Sequence, residues 1–306
     1  MPVIDRRASW LKRIWRSLRE TQPFNGVAAL FLRQLARIFP SACDPIAEHL
    51  PYIGLVRHSL PNGRALVLRS YGDDYLVNQI FWKQEYEPET SSVLFRLAES
   101  ADCIFDIGAH VGFYSLLAAQ ANPRASIHAF EPLPKIYQRL CENVRINGLN
   151  QIRCVASAAG KKNGTAEIFF LASSEISSDS SLKKKNSAEL SDRYASLTIP
   201  VTTLDHYADE HGVGRIDLVK MDTEGTEVDV LLGMTGMMER DHPTIICEVL
   251  PGIGDAEALE RLLTPLGYRY YLLTGTGPMP RQKIEGHSSW RNYLFVRGPV
   301  AELGLG

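Results

Sequence analysis

The stretch that decides the fold is CIFDIGAHVGFYSLL, residues 103–117. It begins as a short apolar run with a carboxylate near its end, passes through two glycines and continues as an apolar, helix-compatible segment. That order predicts a buried strand, a tight turn and the N-terminus of a helix. A second strand, residues 126–130, follows and ends at Glu131-Pro132. The three elements together predict a βαβ unit of an α/β fold.

The acid at the tip of the second strand, Glu131, indicates a ligand that carries a ribose diol. A dinucleotide-binding turn would need glycines where this chain has His110 and Phe113, and only Gly108 and Gly112 are present. A turn without this phosphate cradle favours S-adenosylmethionine, whose amino-acid tail needs an acid and backbone N–H groups. The small residues after the third predicted strand would let a flat adenine ring lie against the strand end. The candidate cofactor-binding residues are Asp106, Gly108, Ala109, His110, Gly112, Glu131, Ser157, Ala158 and Asp222.

Composition limits the class of protein. The chain has 306 residues, of which 45% are hydrophobic, so it can bury a full core in one or two domains. A net charge of −2 provides no overall field that would attract nucleic acid. The odd number of cysteines, five, and the absence of a Cys-x-x-Cys pair indicate reduced thiols rather than a disulfide framework or a zinc site. With no apolar run long enough for a membrane span and no secretory signal, we expect a cytoplasmic protein.

The first 51 residues predict two helices, at about 5–20 and 27–39, before a linker rich in Pro, Ser and Asp. The helix at 5–20 is basic and carries Leu11, Ile14, Trp15 and Leu18 on one face. Packing of this face on the protein or in an oligomer is the favoured interpretation. Peripheral contact with an anionic membrane or a partner is the alternative.

Four predicted strands end in carboxylates, namely Asp106, Glu131, Asp222 and Glu248. Ligand sites of open α/β sheets lie at the carboxyl ends of the strands, so we expect these acids to line one site. The densest polar cluster is KMDTEGTE, residues 220–227, at the end of the fourth strand.

At this point the chain resembles the FkbM-type methyltransferases, a branch of the class I S-adenosylmethionine-dependent enzymes. The matching segments are FDIGAHVGFYS (105–115), AFEP (129–132), NVRINGL (143–149), TLD (203–205), VKMDTEGTE (219–227) and IICE (245–248). The resemblance implies a Rossmann-like, seven-stranded, mostly parallel sheet with helices on both faces and an antiparallel hairpin at one edge. It also implies O-methylation of a hydroxyl on a sugar, glycan or natural product. His110 departs from the family pattern, which often has Asn there.

The candidate catalytic residues are Asp222, Glu224 and Glu227. A sugar-type hydroxyl is a poor nucleophile, so it needs a general base or a metal that lowers its pKa. We expect Asp222 to position or deprotonate the acceptor hydroxyl, with Glu224 as the competing base. Asp222 with Glu248 could instead hold a divalent cation, although no metal ligand set is assigned. In the structural alternative, Asp222 or Thr223 caps the next helix and Lys220 pairs with a neighbouring acid.

Three regions are expected: an N-terminal helical extension (1–51), a cap subdomain over the mouth of the sheet (52–100) and the methyltransferase domain (101–298). A Ser/Lys-rich loop at 173–192 interrupts the last of these, and a role as a lid is the alternative to a plain surface loop. In the loop before the helix at about 90–100, Glu87 is expected to shape the turn, with proximity to the ligand as the alternative.

Two rival functions remain open. One is a different nucleotide enzyme, such as a nicotinamide-dependent dehydrogenase, and the other is a non-catalytic protein on the same fold that the basic N-terminal helix attaches to a membrane or partner. The sequence specifies neither the acceptor nor the oligomeric state.

Overall fold

The computed structural model describes residues 52–171, 194–252 and 255–305. The predicted helices at 5–20 and 27–39 and the Ser/Lys-rich loop at 173–192 lie outside these ranges. Within the described ranges the chain divides into two compact units, the first comprising 52–60 and 67–86 and the second the remainder. Whether the region 52–100 caps the sheet stays a prediction.

The first unit is small. Strand β1 (Ile53–Ser59) pairs with β2 (Ala65–Tyr71), most of which lies in this unit, and helix α1 (Tyr75–Lys83) follows. Asp74 caps α1 by accepting a hydrogen bond from the Val77 N–H at 3.0 Å, as this residue type does at helix N-termini. The ring of Tyr52 stacks on Phe81 of α1, with the two centroids 4.0 Å apart. The apolar pattern after the Pro61-Asn62-Gly63 turn predicts a strand at 64–69, and a helix is expected at 74–82. Both are confirmed.

The second unit contains the remaining elements. Its helices are α2 (Pro88–Ala98), α3 (Phe113–Ala121), α4 (Pro134–Asn147), α5 (Leu204–His211), α6 (Glu227–Leu232), α7 (Thr235–Asp241) and α8 (Ala256–Leu263). The strands of its central sheet are β3 (Cys103–Ile107), β4 (Ser126–Phe130), β5 (Ile152–Val155), β9 (Leu218–Met221), β10 (Thr244–Glu248), β11 (Arg269–Thr274), β12 (Gly277–Arg281) and β13 (Asn292–Val296). Three further strands, β6 (Ala158–Ala159), β7 (Gly164–Leu171) and β8 (Tyr194–Thr202), form a separate sheet.

The central sheet has the strand order β12-β11-β13-β10-β9-β3-β4-β5. Strands β3, β4, β5, β9 and β10 pair in parallel, and β13, β11 and β12 are antiparallel. This confirms the mostly parallel α/β sheet. The chain leaves β3 toward β4 on one side and returns through β9 on the other, which places a topological switch point between β3 and β9.

The structure corrects two expectations. The sheet has eight strands rather than seven, because the exposed segment GPMPR at 277–281 adds an edge strand that no alternation of apolar residues announces. The sequence favours Asp205 as the cap of the helix at 206–210, but Thr203 caps that helix, while Asp205 accepts from the Gly236 and Met237 N–H groups, each at 2.9 Å, at the start of α7.

The segments 165–171 and 197–201 are predicted to form a hairpin or an added edge of the sheet. The hairpin is confirmed, because β7 and β8 pair antiparallel, and together with β6 they form a separate sheet.

The position of β3 in the core explains its apolar run, which only Asp106 interrupts. All five of its residues are buried, as is typical of a central parallel strand covered on both faces. On one face Phe105 packs against Phe130 and Tyr207, with ring centroids 5.6 and 5.9 Å away. This packing fixes the strand whose end carries the turn at 108–112.

Candidate active site

The turn after β3 is wedged between the neighbouring strands. The Gly108 and Ala109 N–H groups donate to the Phe130 carbonyl of β4 at 3.0 and 2.9 Å, and the Asp222 N–H donates to the Ile107 carbonyl at 3.0 Å. Gly108 has a φ of 77°, and a Cβ on it would collide with the Asp222 carbonyl oxygen. Only glycine fits there, so the turn and the tip of β9 are held in contact.

Glu131 lies where the sequence predicts, and backbone groups fix its carboxylate. The His110 N–H donates to Oε2 at 3.0 Å and the Leu133 N–H donates to Oε1 at 2.9 Å. Burial raises the pKa of Glu131, although His110 and the two N–H groups oppose that shift. A carboxylate has about four lone-pair positions, so both oxygens retain acceptor capacity for the hydroxyls of a ribose. His110 reaches this geometry in the left-handed region, with a φ of 52°.

Asp106 is buried beneath the turn. Ser115 of α3 donates its hydroxyl to Oδ2 at 2.5 Å. Burial raises the pKa of Asp106, while the bond from Ser115 and the charge of Lys220 partly offset it. Gly112 begins α3 with a φ of 91°, and a Cβ on it would lie 2.6 Å from Cδ1 of Leu140. The residues Asp106, Gly108, Ala109, His110, Gly112, Glu131 and Asp222 are therefore brought together.

Ala158 lies in the separate sheet, and Ser157 immediately precedes it in the chain. The Ser157 hydroxyl donates to the carbonyls of Ala158 and Pro200, at 3.0 and 3.1 Å. Ala158 pairs with Val201 of β8 and is buried. These contacts are with the backbone of that sheet, and a role in binding adenine stays a prediction.

Lys220 is the cation of the site. Its side chain is 1% exposed, and its Nζ lies 3.3 Å from Oδ2 of Asp222 and 5.0 Å from the ring centroid of Tyr114. Burial opposes its charge, but the acids Asp222, Glu87, Asp106 and Glu248 together raise its pKa above the ordinary value. The ammonium therefore stays charged, and the predicted pairing of Lys220 with a neighbouring acid is confirmed.

Three carboxylates converge beside this lysine. Oxygen atoms of Asp222, Glu224 and Glu248 lie within 4.8 Å of one another, close enough to hold a divalent cation. Burial and the charge of Asp222 raise the pKa of Glu248 to about 10. Burial alone would raise the pKa of Asp222, but Lys220 lowers it. Without a cation, the pair is thus a carboxylic acid beside a carboxylate.

Glu227 holds the loop that presents Glu224. Its Oε1 accepts from the Thr223 and Gly225 N–H groups, both at 3.1 Å, and from the Thr223 hydroxyl at 2.9 Å. This anchoring supports the left-handed backbone of Glu224, whose φ is 56°. A catalytic role for Glu227 stays a prediction, and neither Asp222 nor Thr223 is the N-cap of α6, which is Thr226.

One acid of the site was expected only to shape a turn. Glu87 precedes α2, and its Oε2 accepts from the Tyr114 hydroxyl at 2.6 Å and from Nδ2 of Asn292 at 3.0 Å. Tyr114 is the ring beneath the Lys220 ammonium. Residues 87, 114, 220 and 292 are far apart in the sequence, and no local pattern connects them. Only the fold brings them together.

The chain is similar in sequence to known methyltransferases. The model of the methyltransferase FkbM domain matches residues 106–270, which is more than half of the chain. A hexuronic acid methyltransferase of Haloferax volcanii is 26% identical over 178 residues, covering 58% of this chain and 68% of that protein. The 31-O-demethyl-FK506 methyltransferase of Streptomyces tacrolimicus is 26% identical over 230 residues, covering 66% and 85%. A crystal structure of a methyltransferase FkbM from Methylobacillus flagellatus is 16% identical, with a TM-score of 0.42, covering 73% of this chain and 55% of that one.

Proposed function

Since this chain belongs to the FkbM methyltransferase family, we propose that it methylates a hydroxyl group of a sugar, glycan or other natural product. The protein is an S-adenosylmethionine-dependent methyltransferase. Among the relatives, one is named for a hexuronic acid and one for 31-O-demethyl-FK506, which supports a hydroxyl acceptor. The bound cofactor supplies a methyl group activated on a sulfonium.

The observation that carries the proposal is the set of acids at the ends of four neighbouring parallel strands. Strands β4, β3, β9 and β10 are adjacent in the sheet, and Glu131, Asp106, Asp222 and Glu248 lie at their carboxyl ends. This is the edge where open α/β sheets bind ligands, and the switch point lies at its centre. The glycine at 108 lets the turn approach the Asp222 backbone, which brings the turn and the end of β9 to the same place at this edge.

We assign the cofactor to the side of this edge built by β3 and β4. Glu131 is placed to accept the ribose hydroxyls, and the turn at 108–112 and Asp106 are placed to hold the charged amino-acid end. Backbone N–H groups fix the Glu131 carboxylate and the Ser115 hydroxyl fixes that of Asp106, so these two acids are preorganised. Fixed alignment supplies most of the rate of an in-line displacement.

We assign Asp222 and Glu224 to the acceptor side. Lys220 keeps Asp222 ionised, so Asp222 is suited to accept a hydrogen bond from the acceptor hydroxyl and to orient it. Its lowered pKa makes it a weaker proton acceptor than a carboxylate whose pKa is raised toward neutrality. Glu224 remains the competing base, and the loop anchored by Glu227 presents it.

A divalent cation is a second possibility at the same place, supported by the convergence of Asp222, Glu224 and Glu248. Carboxylate oxygens are suitable ligands for Mg²⁺ and Ca²⁺. A cation would displace the proton that the raised pKa of Glu248 retains. Titration of the protein with Mn²⁺, followed by the electron paramagnetic resonance of free Mn²⁺, tests this directly. Stoichiometric binding that Glu248→Gln abolishes would support the site, and binding unaffected by that change would exclude it.

The deciding experiment is calorimetric titration of the purified protein with S-adenosylmethionine and, in parallel, with NAD. Micromolar binding of S-adenosylmethionine that Glu131→Ala abolishes would support the pocket. Preference for NAD would overturn it and favour the dehydrogenase. Methyl transfer is then assayed with tritiated S-adenosylmethionine and D-glucuronic acid or D-glucose as acceptors.

No described helix is long and apolar enough to cross a membrane. The cytoplasmic location and the weak membrane contact through residues 5–20 stay predictions. Binding to anionic vesicles that is lost when residues 1–22 are deleted would support the contact.

A further inference from the structure

Glu87 has a backbone conformation that its sequence position disfavours. Its φ of 40° and ψ of 64° lie in the left-handed region, although it is not glycine and precedes Pro88. A residue before proline normally adopts an extended conformation. Glu87 is also the N-cap of α2, yet its side chain makes no capping hydrogen bond. Strained conformations of this kind persist where the surrounding structure holds a residue for a purpose other than local stability.

The side chain is held from two other elements. Tyr114 of α3 donates its hydroxyl to Oε2 at 2.6 Å, and Asn292 of β13 donates Nδ2 to the same oxygen at 3.0 Å. Both bonds therefore end on one oxygen. Within the described parts of the chain no hydrogen bond ends on Oε1, so this oxygen is free to accept from a ligand.

Asn292 gives a second, independent indication of a ligand. It is 5% exposed, and its Oδ1 has no hydrogen-bond partner among the described residues. A buried acceptor without a partner costs about 1–3 kcal/mol, which a ligand hydroxyl could recover. Asn292 is the register partner of Glu248 at the end of β10, so this open acceptor lies at the carboxyl edge of the sheet.

The charges around Glu87 suit proton transfer. Lys220 and Asp222 face it from β9, Tyr114 from α3, and Glu89 lies on its own helix. Burial raises the pKa of Glu87; Asp222 and Glu89 raise it further, whereas Lys220 and Tyr114 lower it. The pKa of Asp222 moves in the opposite direction. A general base is most effective when its pKa approaches the working pH, which favours Glu87 over Asp222 for this task.

We propose that Glu87 is the general base of methyl transfer, taking the acceptor hydroxyl proton on Oε1 while Asn292 Oδ1 accepts a hydrogen bond from the same acceptor. This rests on the proposed function and names a residue of that site. The hydroxyl proton passes to Oε1, and the oxygen lone pair forms the bond to the methyl carbon. The carbon–sulfur bonding pair returns to sulfur, which gives the methyl ether, S-adenosylhomocysteine and a neutral Glu87. Water then removes the proton.

The first test is Glu87→Gln in the full chain, with tritiated S-adenosylmethionine and D-glucuronic acid. Loss of a general base lowers kcat by about 100-fold or more, whereas the Kd for S-adenosylmethionine should change by less than about threefold. Glu99→Gln is the matched control, an exposed glutamate at the C-terminal end of the same helix, and should retain kcat within about twofold. A Glu87→Gln variant that is folded and keeps wild-type kcat would overturn the proposal and leave the proposed function intact.

The second test is the pH profile of Tyr114→Phe. The Tyr114 hydroxyl lowers the pKa of Glu87, so its removal should move the acidic limb of kcat/KM to higher pH. A limb that does not move would contradict Glu87 as the titrating base, since loss of a purely structural bond changes the rate without moving the limb.

A third measurement separates the two proposals if the wild-type protein binds S-adenosylmethionine but methylates neither sugar. That result would overturn the acceptor class. Carbon-13 NMR of glutamate carboxyls then identifies the Glu87 resonance by its absence in Glu87→Gln. Titration above the ordinary glutamate range supports the base, and titration at or below that range overturns it.

Discussion

The turn at 108–112 and the acidic cluster of Glu87, Lys220, Asp222, Glu224 and Glu248 lie at the same edge of the sheet but are built differently. The turn is held by backbone hydrogen bonds and by a glycine in contact with the next strand. The cluster is held by side chains whose charges set one another's pKa values. A site built from backbone suits a ligand that does not vary, whereas single substitutions can change the electrostatics of a site built from side chains.

The largest effect should come from Gly108→Ala, which disrupts the turn at 108–112. The new Cβ would collide with the Asp222 carbonyl, a backbone atom that no rotamer change can move away. We expect a loss of about 4 kcal/mol or more in the free energy of unfolding, as for other severe steric strain. Urea denaturation measures it, and calorimetry should show no binding of S-adenosylmethionine.

Gly63→Ala is the control for backbone strain alone. Gly63 has a φ of 78°, almost the same as the 77° of Gly108, but a Cβ on it would meet nothing within 4 Å. It should cost only about 1 kcal/mol. Equal losses in the two variants would contradict the contact between the turn and β9.

Lys220→Met should have the next largest effect, on the side-chain-built region. Removal of one partner of a buried ion pair typically costs about 3–5 kcal/mol, and we expect the lower end because the side chain of Asp222 is 28% exposed. The pKa of Asp222 should rise, since burial raises it and the charge of Lys220 is the largest effect that opposes burial. Thermal and urea unfolding at pH 7 measure the loss.

Lys161→Met provides the matched pair. Lys161 lies 3.2 Å from Asp229, about as close as Lys220 to Asp222, but both side chains are exposed, by 54% and 41%. An exposed pair contributes about 0–1 kcal/mol. If both lysine variants lost the same stability, the burial of Lys220 would not be what gives the cluster its energy.

These two regions also differ in how far the sequence predicts them. The turn is local: an apolar run, an acid and two glycines within ten residues predict the strand, the turn and the position of Glu131 relative to them. The acidic cluster instead depends on the contacts of Glu87 with Tyr114 and Asn292 and of Lys220 with Tyr114, from four elements far apart in the chain. Residue type and position at the end of a strand predict Asp222 and Glu248 as site residues. No local pattern marks Glu87, whose proposed role depends on an unusual backbone conformation. Likewise, no local pattern predicts the edge strand β12 or the hydrogen bonds from Asp205 to the start of α7.

Glu248→Gln should stabilise the protein. The folded-state pKa of Glu248, about 10, lies above its ordinary value, so the group contributes most stability at low pH and loses it as pH rises toward 10. An uncharged amide removes that loss, and we expect a gain of about 1–2 kcal/mol at pH 8, the usual trade-off at a functional site. Unfolding free energies at pH 5 and pH 8 measure it.

The control is Glu257→Gln on α8, whose carboxylate is 91% exposed. It should change the stability little at either pH. If Glu248→Gln is no more stable than the wild type at pH 8, the wild-type cluster accommodates the second negative charge, for example through a bound cation.

The smallest effect should come from Ser115→Ala, at the junction of the two regions. Ser115 donates a hydrogen bond to Asp106, which lies in β3 just before the turn. The charge of Lys220 acts on the same carboxylate. The lost bond should cost about 1–2 kcal/mol at pH 8. Burial raises the pKa of Asp106 and loss of the Ser115 bond would raise it further, so the difference in stability between variant and wild type should shrink as the pH falls and Asp106 is protonated. Thr264→Val removes a hydroxyl that bonds the Glu260 carbonyl instead of a carboxylate, and its cost should not depend on pH over this range. A pH-independent loss in Ser115→Ala would mean that Asp106 is neutral over this whole pH range. The negative charge proposed to face the cofactor would then come from the acidic cluster and not from Asp106.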